Sequence, residues 1–417
     1  MSKTRKIAVI GAGVTGVTTA YQLARRGFAV TVFDRQRYAA METSFANGGQ
    51  LSASNAETWT QWSTVFKGLK WIFRRDAPLL VSLRPEWRKL KWMAEFLGQI
   101  PNYRANTVET VRLALKAREA LAEMADAEGI DFDLEARGIL HFYSTEADLA
   151  HARRVNAMLA EGGLERRELR PEELREIEPT LTGDFTGGFF TPSDLSGDIH
   201  KFTMGLAEAC RRQGVEFRFQ TDVDSCRRDG AGVRVETASG ESLRFDGVVI
   251  SAGVRSPDFA EALGDKLNVY PVKGYSITVE LDDEESRAAA PWVSMLDDRA
   301  KIVASRLGPD RLRIAGTAEF NGENRDIRND RVEPLVRWCE TYFPGVRTEH
   351  AVPWAGLRPM TPSMLPRVGR GAAPCVFYNT GHGHLGWTLS GATAAIVAEA
   401  VAAAFPDGAR PPLRAAA

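Results

Sequence analysis

The chain is 417 residues long, enough to bury a large core and more than one average domain needs. Its 53 Lys and Arg balance 54 Asp and Glu, for a net charge of −1 with neutral histidine, which argues against nucleic acid as a partner. The hydrophobic share of 44% is ordinary for a globular protein, and Cys210, Cys226, Cys339 and Cys375 fall in no metal-ligand or redox spacing, so single reduced thiols are expected.

Residues 6–10, Lys-Ile-Ala-Val-Ile, are a short apolar run suited to a buried parallel strand. The basic residues before it and the glycines after it leave too little apolar length for a signal peptide or membrane span, and no other stretch is expected to cross a membrane. Residues 17–27, VTTAYQLARRG, repeat apolar positions at helical spacing up to Gly27, a good helix stop. A second strand is predicted over 29–35, AVTVFDR, completing a βαβ unit. Residues 36–58 are small and polar and read as loop. Residues 59–98 interleave Trp59, Trp62, Phe66, Leu69, Trp71, Ile72, Phe73, Trp87, Trp92 and Phe96 with Lys67, Lys70, Arg74, Arg75, Arg84, Arg88, Lys89 and Lys91. A long amphipathic helix is predicted over 105–129, then alternating elements to about residue 195. A helix over 198–213 and strands over 215–220, 232–237 and 243–251 follow. Residues 269–320 read mostly as strands, 331–343 as a helix, 375–381 as a strand and 386–404 as a helix. No internal repeat or low-complexity linker appears, and the mixed order predicts two interwoven domains.

The turn Gly11-Ala-Gly13-Val-Thr-Gly16 follows a predicted strand and opens a predicted helix, the context in which G-x-G-x-x-G binds a dinucleotide. Gly11 permits the tight turn, Gly13 the approach of a pyrophosphate, and Gly16 close packing of helix on strand. The phosphates then meet free N–H groups at the positive helix end. Asp34 ends the second predicted strand, 23 positions after Gly11 and 18 after Gly16. A carboxylate there suits ribose hydroxyls and repels a 2′-phosphate.

Three further stretches favour a flat ring beyond the pyrophosphate. Ser44, Asn47, Gly48, Gly49 and Gln50 lie in a run of small polar residues, where two adjacent glycines suit a backbone laid against a ring. Residues 248–253, VVISAG, form a later strand ending in the small residues Ala252 and Gly253. Residues 380–391, TGHGHLGWTLSG, carry His382 and His384 between glycines. Two histidines with no cysteine or carboxylate nearby in sequence are too few ligands, so no metal is expected. Gly381, Gly383 and Gly386 let backbone approach a ring, and the helix behind them offers unpaired N–H groups.

With PVKGYS (271–276), GLRPMTP (356–362) and NTGHGHLGWT (379–388) added, the collinear set resembles the D-amino acid oxidase superfamily of flavoproteins, and within it the bacterial D-amino acid dehydrogenase small subunit family. The resemblance spans nearly the whole chain. It implies an α/β fold, with a Rossmann-like FAD-binding domain interleaved with an α+β substrate domain on a mostly antiparallel sheet. The expected division is 1–60, 196–268 and 352–417 for FAD, and 61–195 and 269–351 for substrate. The expected FAD contacts are Gly11, Gly13, Gly16, Asp34, Arg35, Ser44, Asn47, Gly48, Gly49, Gln50, Val223, Ala252, Gly253, Gly383, His384, Leu385, Gly386, Trp387 and Thr388. Thr388 and Ser390 are candidate hydroxyl donors.

The resemblance also makes Arg358 the holder of a substrate carboxylate, a task suited to the planar guanidinium fork. Tyr275 is expected either to present its hydroxyl to that carboxylate or to pack in the core, and Arg306 is a further option. His384 is expected beside the flavin and His382 as a structural donor. Ser363 stands where the family often has Asp, which leaves side-chain preference open. The implied reaction is oxidative deamination of D-amino acids to 2-oxo acids and ammonia, with hydride passing to flavin N5 and electrons going on to a quinone or other non-oxygen acceptor. The preference for D-substrates comes from resemblance alone. The family also implies peripheral contact with the inner membrane from the cytoplasmic side, through residues 59–98; core packing is the other reading of those aromatics. Two rivals stand beside this function: an O₂-using oxidase of glycine, sarcosine or another secondary amine, and a flavin-bearing subunit of a multi-chain dehydrogenase.

Overall fold

The structure, a computed structural model, describes residues 4–71 and 78–408. Ile72, Phe73, Arg74 and Arg75 lie outside the described residues, as do the side chains of Leu69, Lys70 and Trp71.

The first sheet has six strands. In spatial order they are Arg367–Arg370, Val376–Thr380, Gly247–Ile250, Lys6–Ile10 (β1), Ala29–Phe33 (β2) and Glu216–Arg218. All neighbours run parallel except the Arg367–Arg370 edge. β1 has a parallel neighbour on each side, which is why Ile7, Ala8, Val9 and Ile10 are continuously apolar and buried. Helix α1, Val14–Arg25, starts directly after the glycine turn, and helix Ile199–Arg212 packs on it. Asp198 caps that second helix by accepting hydrogen bonds from the His200 and Lys201 N–H groups.

The helix Gly386–Ala404 lies between α1 and the long helix Tyr103–Glu128. By length and composition, Gly383–Ala404 could cross a membrane, contrary to the expectation that no stretch could. Its Val397, Ala398 and Val401 are wholly buried in the core that surrounds β1 and α1. Its uniform apolarity therefore reflects being covered by helices, as in the interior of any large protein.

The large sheet has nine strands, ordered Val352–Met360, Tyr270–Glu280, Arg311–Phe320, Ile302–Arg306, Ser294–Asp297, Ile139–Tyr143, Gly187–Thr191 and Arg167–Leu169, with Leu79–Val81 pairing to Arg311–Phe320. Most neighbours are antiparallel; Ser294–Asp297 on Ile139–Tyr143 and Leu79–Val81 on Arg311–Phe320 are parallel. The two-sheet α/β architecture matches the expectation. The division at residue 352 needs correcting: Val352–Met360 is an edge strand of the large sheet, so the boundary falls after it. The predicted loop 36–58 also contains a short strand, Gln50–Leu51, paired with Leu195–Ser196.

Residues 59–98 split by environment. Trp92 and Phe96 are core, with Trp92 Nε1 donating to the Met360 carbonyl at 2.8 Å. Lys89 is also buried and donates to the Ser82 and Arg84 carbonyls. Trp62, Phe66 and Trp87 are instead 57%, 59% and 78% exposed, more than core packing permits.

Candidate active site

A cavity of about 780 Å³ runs from the strand ends of the six-stranded sheet to one face of the large sheet. Its first end is made largely of backbone. Gly11 has φ +107°, and a Cβ there would sit 2.5 Å from the Ser251 carbonyl oxygen. At Gly16 a Cβ would overlap the Gly11 carbonyl; this residue does not border the cavity but lets α1 press onto the turn. Gly13 does border it, and the Ser44 Oγ accepts from the Val14 N–H at 3.0 Å beside it.

Asp34 follows β2 rather than ending it. Its carboxylate accepts from the Ala12 N–H at 2.6 Å and from the Gln36 N–H at 2.8 Å, which fixes it against the glycine turn. Burial pushes its pKa up, opposed by those two hydrogen bonds. Arg35 is exposed and paired with Glu42 at 2.8 Å, and Val223, Ala252 and Gly253 complete this end.

Midway, Gly48 borders the cavity, and both adjacent glycines pack against the large sheet. A Cβ on Gly48 would meet Val303 Cγ2 at 2.6 Å, and Gly49, with φ +70°, faces Ser305 and Leu307 and does not border the cavity. Asn47 Oδ1 accepts from the Gly49 N–H at 2.9 Å and locks this turn. Gln50 Nε2 donates to Ser294 Oγ and the Met295 carbonyl, while its Oε1 is buried without a hydrogen-bond partner.

The far end holds the two histidines of the 380–391 stretch in different roles. His382 is buried, its Nε2 3.0 Å from Thr393 Oγ1, and burial lowers its pKa to about 3. His384 stacks on Trp59 with ring centroids 5.1 Å apart and planes 18° apart. Its Nε2 lies 3.4 Å from the Asn55 carbonyl oxygen, and its Nδ1 is buried with no hydrogen-bond partner. Burial, then the charge of Arg358, lowers its pKa to about 4. A neutral ring donating from Nε2 to Asn55 leaves Nδ1 as a buried acceptor without a donor. The rings serve separate partners, and among the described residues no three His, Cys, Asp or Glu side chains form a metal-binding group. The four thiols are buried, and none borders the cavity.

Gly383, Leu385, Gly386, Trp387 and Thr388 all border the cavity at the N-terminus of the Gly386–Ala404 helix. The Trp387 ring turns away to pack on Phe132 and Phe202. Thr388 Oγ1 accepts from the Ser52 N–H at 3.3 Å. Ser390 is not a free donor: its hydroxyl is spent on the Trp387 carbonyl at 3.0 Å.

Arg358 lines the same end. Its Nη1 donates to the Thr317 carbonyl at 2.8 Å, and among the described residues no carboxylate pairs with it. Burial lowers its pKa to about 10, so it remains a cation at neutral pH. Of the two readings of Tyr275, its surroundings favour core packing, though the residue borders the cavity. Neighbouring strand residues alternate faces, so it points away from the Arg358 side. Its ring lies in the core beneath the sheet, and its hydroxyl donates to Glu319 Oε2 at 2.7 Å. Arg306 does not border the cavity; it lies 3.9 Å from the Trp292 ring centroid and donates to three backbone carbonyls.

Sequence reasoning missed several cavity residues. Trp59 was read only as part of an aromatic stretch, and nothing in the local sequence marks Asn55 or Thr317. Beyond His384 the cavity continues among Glu57, Tyr143, Asp298 and Lys301. There the Tyr103 hydroxyl donates to Glu57 at 2.6 Å, and Lys301 Nζ donates to Asp298 at 2.6 Å. No motif announces these residues because they come from segments far apart in the chain: the loop at Glu57, the strand end at Tyr143, and the turn that carries both Asp298 and Lys301.

A glycine turn and acidic residue at the strand ends, opening on a desolvated cation and a helix N-terminus, define a dinucleotide-binding oxidoreductase. The chain belongs to the FAD dependent oxidoreductase family, which it matches over residues 6–400. It is 59% identical over 407 residues to D-amino acid dehydrogenase 3 of Mesorhizobium japonicum, covering 97% of this chain and 99% of that one. It is 44% identical to the D-amino acid dehydrogenase of Paramagnetospirillum magneticum, over 95% of this chain and 94% of that one. Among solved structures, glycine oxidase from Geobacillus kaustophilus superposes with a TM-score of 0.74 at 22% identity, covering 95% of each chain. L-proline dehydrogenase from P. horikoshii gives 0.74 at 16%, covering 96% of this chain and 93% of that one. These two likenesses concern the fold.

The residues present fit FAD. Gly11 and Gly13 form a cradle whose close approach added side chains would spoil, Asp34 offers fixed acceptors, and the cavity is of cofactor size and elongated toward the helix N-terminus.

Proposed function

We propose that this chain is an FAD-dependent D-amino acid dehydrogenase that converts D-amino acids to 2-oxo acids and ammonia. The observation that carries the substrate class is Arg358, a guanidinium at the cavity wall with no carboxylate partner among the described residues. A desolvated cation is costly unless an anion joins it, and the carboxylate of an amino acid is such an anion. The relatives named D-amino acid dehydrogenase support the hand of the substrate.

When bound, FAD would supply a two-electron acceptor for the hydrogen and electron pair lost from the substrate α-carbon. The chain's own residues bind and orient. Asp34 would hold the ribose, while Gly11, Gly13 and Ser44 with the α1 N-terminus would hold the pyrophosphate. The N–H groups of Gly386, Trp387 and Thr388 present a positive dipole end where negative charge gathers on reduction. Arg358 grips the carboxylate through its remaining donors. His384, neutral and stacked on Trp59, shapes the cavity wall beside Arg358.

The acceptor beyond the flavin is a quinone at a membrane surface. Exposed Trp62, Phe66, Leu83, Trp87 and Leu90, with Arg84 and Lys91 also at the surface, support peripheral contact at the cytoplasmic face of the inner membrane. Gln61, Ser63, Thr64 and Lys67 of the same stretch border the cavity.

The test is anaerobic mixing of the FAD-loaded chain with D- and L-alanine while following flavin absorbance, then reoxidation by a quinone analogue or by O₂ with peroxide measured. Bleaching by D-alanine, faster reoxidation by quinone and little peroxide are expected. Bleaching by L-alanine alone, or stoichiometric peroxide, would overturn the reading.

A further inference from the structure

Arg358 sits at an irregularity in the large sheet. Opposite Tyr270–Glu280, the register of Arg311–Phe320 moves from Lys273↔Glu319 to Tyr275↔Gly316. Thr317 and Ala318 therefore face the single residue Gly274, which is a β-bulge. Thr317 has φ +56°, a left-handed conformation that a β-branched residue adopts only under constraint. That conformation accompanies a carbonyl that accepts from Arg358 Nη1 at 2.8 Å.

The other flank of the guanidinium is glycine. Val352–Met360 pairs with Tyr270–Glu280 so that Gly274 and Gly356 are direct cross-strand partners, with Arg358 two residues beyond Gly356. A Cβ on Gly274 would overlap Arg358 Cζ and both terminal nitrogens, and one on Gly356 would overlap the Trp354 ring. The guanidinium and the indole thus each occupy the space of a missing side chain.

We propose that the Thr317–Ala318 bulge and Gly274 position Arg358: the glycine floor sets the plane of the fork, and the strained carbonyl sets its rotation by engaging one nitrogen. The remaining donors are presented toward the cavity in one orientation. This rests on the reading of Arg358 as the carboxylate holder. Thr317 and Gly274 border the cavity, but the role assigned to them acts through the arginine. Backbone strain at Thr317 is retained because a regular strand would tie its carbonyl into the ladder.

The test is binding of propionate, a carboxylate without an amine, to FAD-loaded protein, followed by the shift it causes in flavin absorbance. Gly274→Ala should weaken propionate about a hundredfold at full FAD content, since a displacement near 1 Å of a positioned group costs about that much. Thr317→Gly holds φ +56° without strain and should bind within about threefold of the parent, with a Tm no lower. In an Arg358→Lys background, whose compact head has room for the added methyl, Gly274→Ala should cost less than about twofold. An equal loss in both backgrounds, or parent-like propionate binding by Gly274→Ala while Arg358→Ala loses it, would overturn the proposal. Should Gly274→Ala not accumulate folded, Thr317→Pro, whose ring forbids φ +56°, should cost at least about tenfold where Thr317→Gly does not. Equal binding by those two would also overturn it. If Arg358→Ala itself binds propionate like the parent, the failure lies with the carboxylate reading.

Discussion

At the nucleotide end of the cavity the walls are mostly main chain: a glycine turn, a helix N-terminus, and one carboxylate tied to two backbone N–H groups. At the substrate end they are side chains held out of water: a guanidinium, two neutral imidazoles, and a stacked indole. The first end tolerates little change of shape but carries little desolvated charge. The second stores electrostatic free energy in a cation that awaits its anion. Substitutions at the two ends should therefore fail differently, one in holding FAD and the other in using it.

The largest expected effect is at Arg358. Arg358→Ala should lose roughly 3–5 kcal/mol of transition-state stabilisation toward amino acids, the cost of breaking a desolvated charge pair, with FAD content near normal. Arg358→Lys should fall between, keeping charge but not fork. Anaerobic stopped-flow flavin reduction measures both, and parent-like rates in the alanine variant would erase the contrast between the ends.

Asp34→Ala should do the reverse. It should weaken FAD by about 1.5–3 kcal/mol per charge-assisted hydrogen bond lost, yet reduce at a parent-like rate once FAD is saturating. A normal FAD complement on purification would remove Asp34 from the ribose site.

A comparable effect concerns pH. His382 and His384 titrate in the folded state at about 3 and about 4, below the ordinary 6.5, because burial disfavours their cations. Between those values the unfolded chain takes up protons that the folded chain refuses. Their contribution to stability is therefore fully present above about pH 6.5 and is lost as pH falls toward 4. For His382 this amounts to on the order of 2 kcal/mol between pH 6.5 and 5. Urea unfolding should show His382→Gln with a flatter acid slope than the parent; identical slopes would mean that the ring is not held neutral.

The smallest effect lies outside the cavity. Trp62→Ser with Phe66→Ser should reduce sedimentation with anionic liposomes at low salt, without changing dye-linked flavin reduction. Unchanged sedimentation would take the exposed aromatics out of the membrane reading.

The two ends also differed in legibility. Gly11, Gly13 and Asp34 could be read directly, because a strand–turn–helix cradle is local and its spacing is set by backbone geometry. Arg358 and His384 were reached through family likeness, since an Arg in a strand or a His in a loop has many ordinary uses. Tyr275 stayed open between carboxylate contact and core packing, because which strand face is buried by helix Asn329–Tyr342 is a tertiary matter. Gly48 and Gly49 were noticed for the right reason, close approach, but the approaching partner is the large sheet.

By itself the sequence determined the βαβ cradle, the acid that serves it, the helix periods, and a balanced charge that gives no support for a nucleic-acid partner. Each is written in residues close together along the chain, where bonded geometry limits the outcomes. Only the tertiary structure decided that Val352–Met360 joins the large sheet, that Gly274 makes room for Arg358, that Thr317 bends to meet it, and that His384 stacks on Trp59 while His382 turns to Thr393. Those contacts join segments far apart in sequence. What selects them is the mutual packing of two sheets and the cost of leaving a buried polar group unpaired, and neither is expressed in any local pattern.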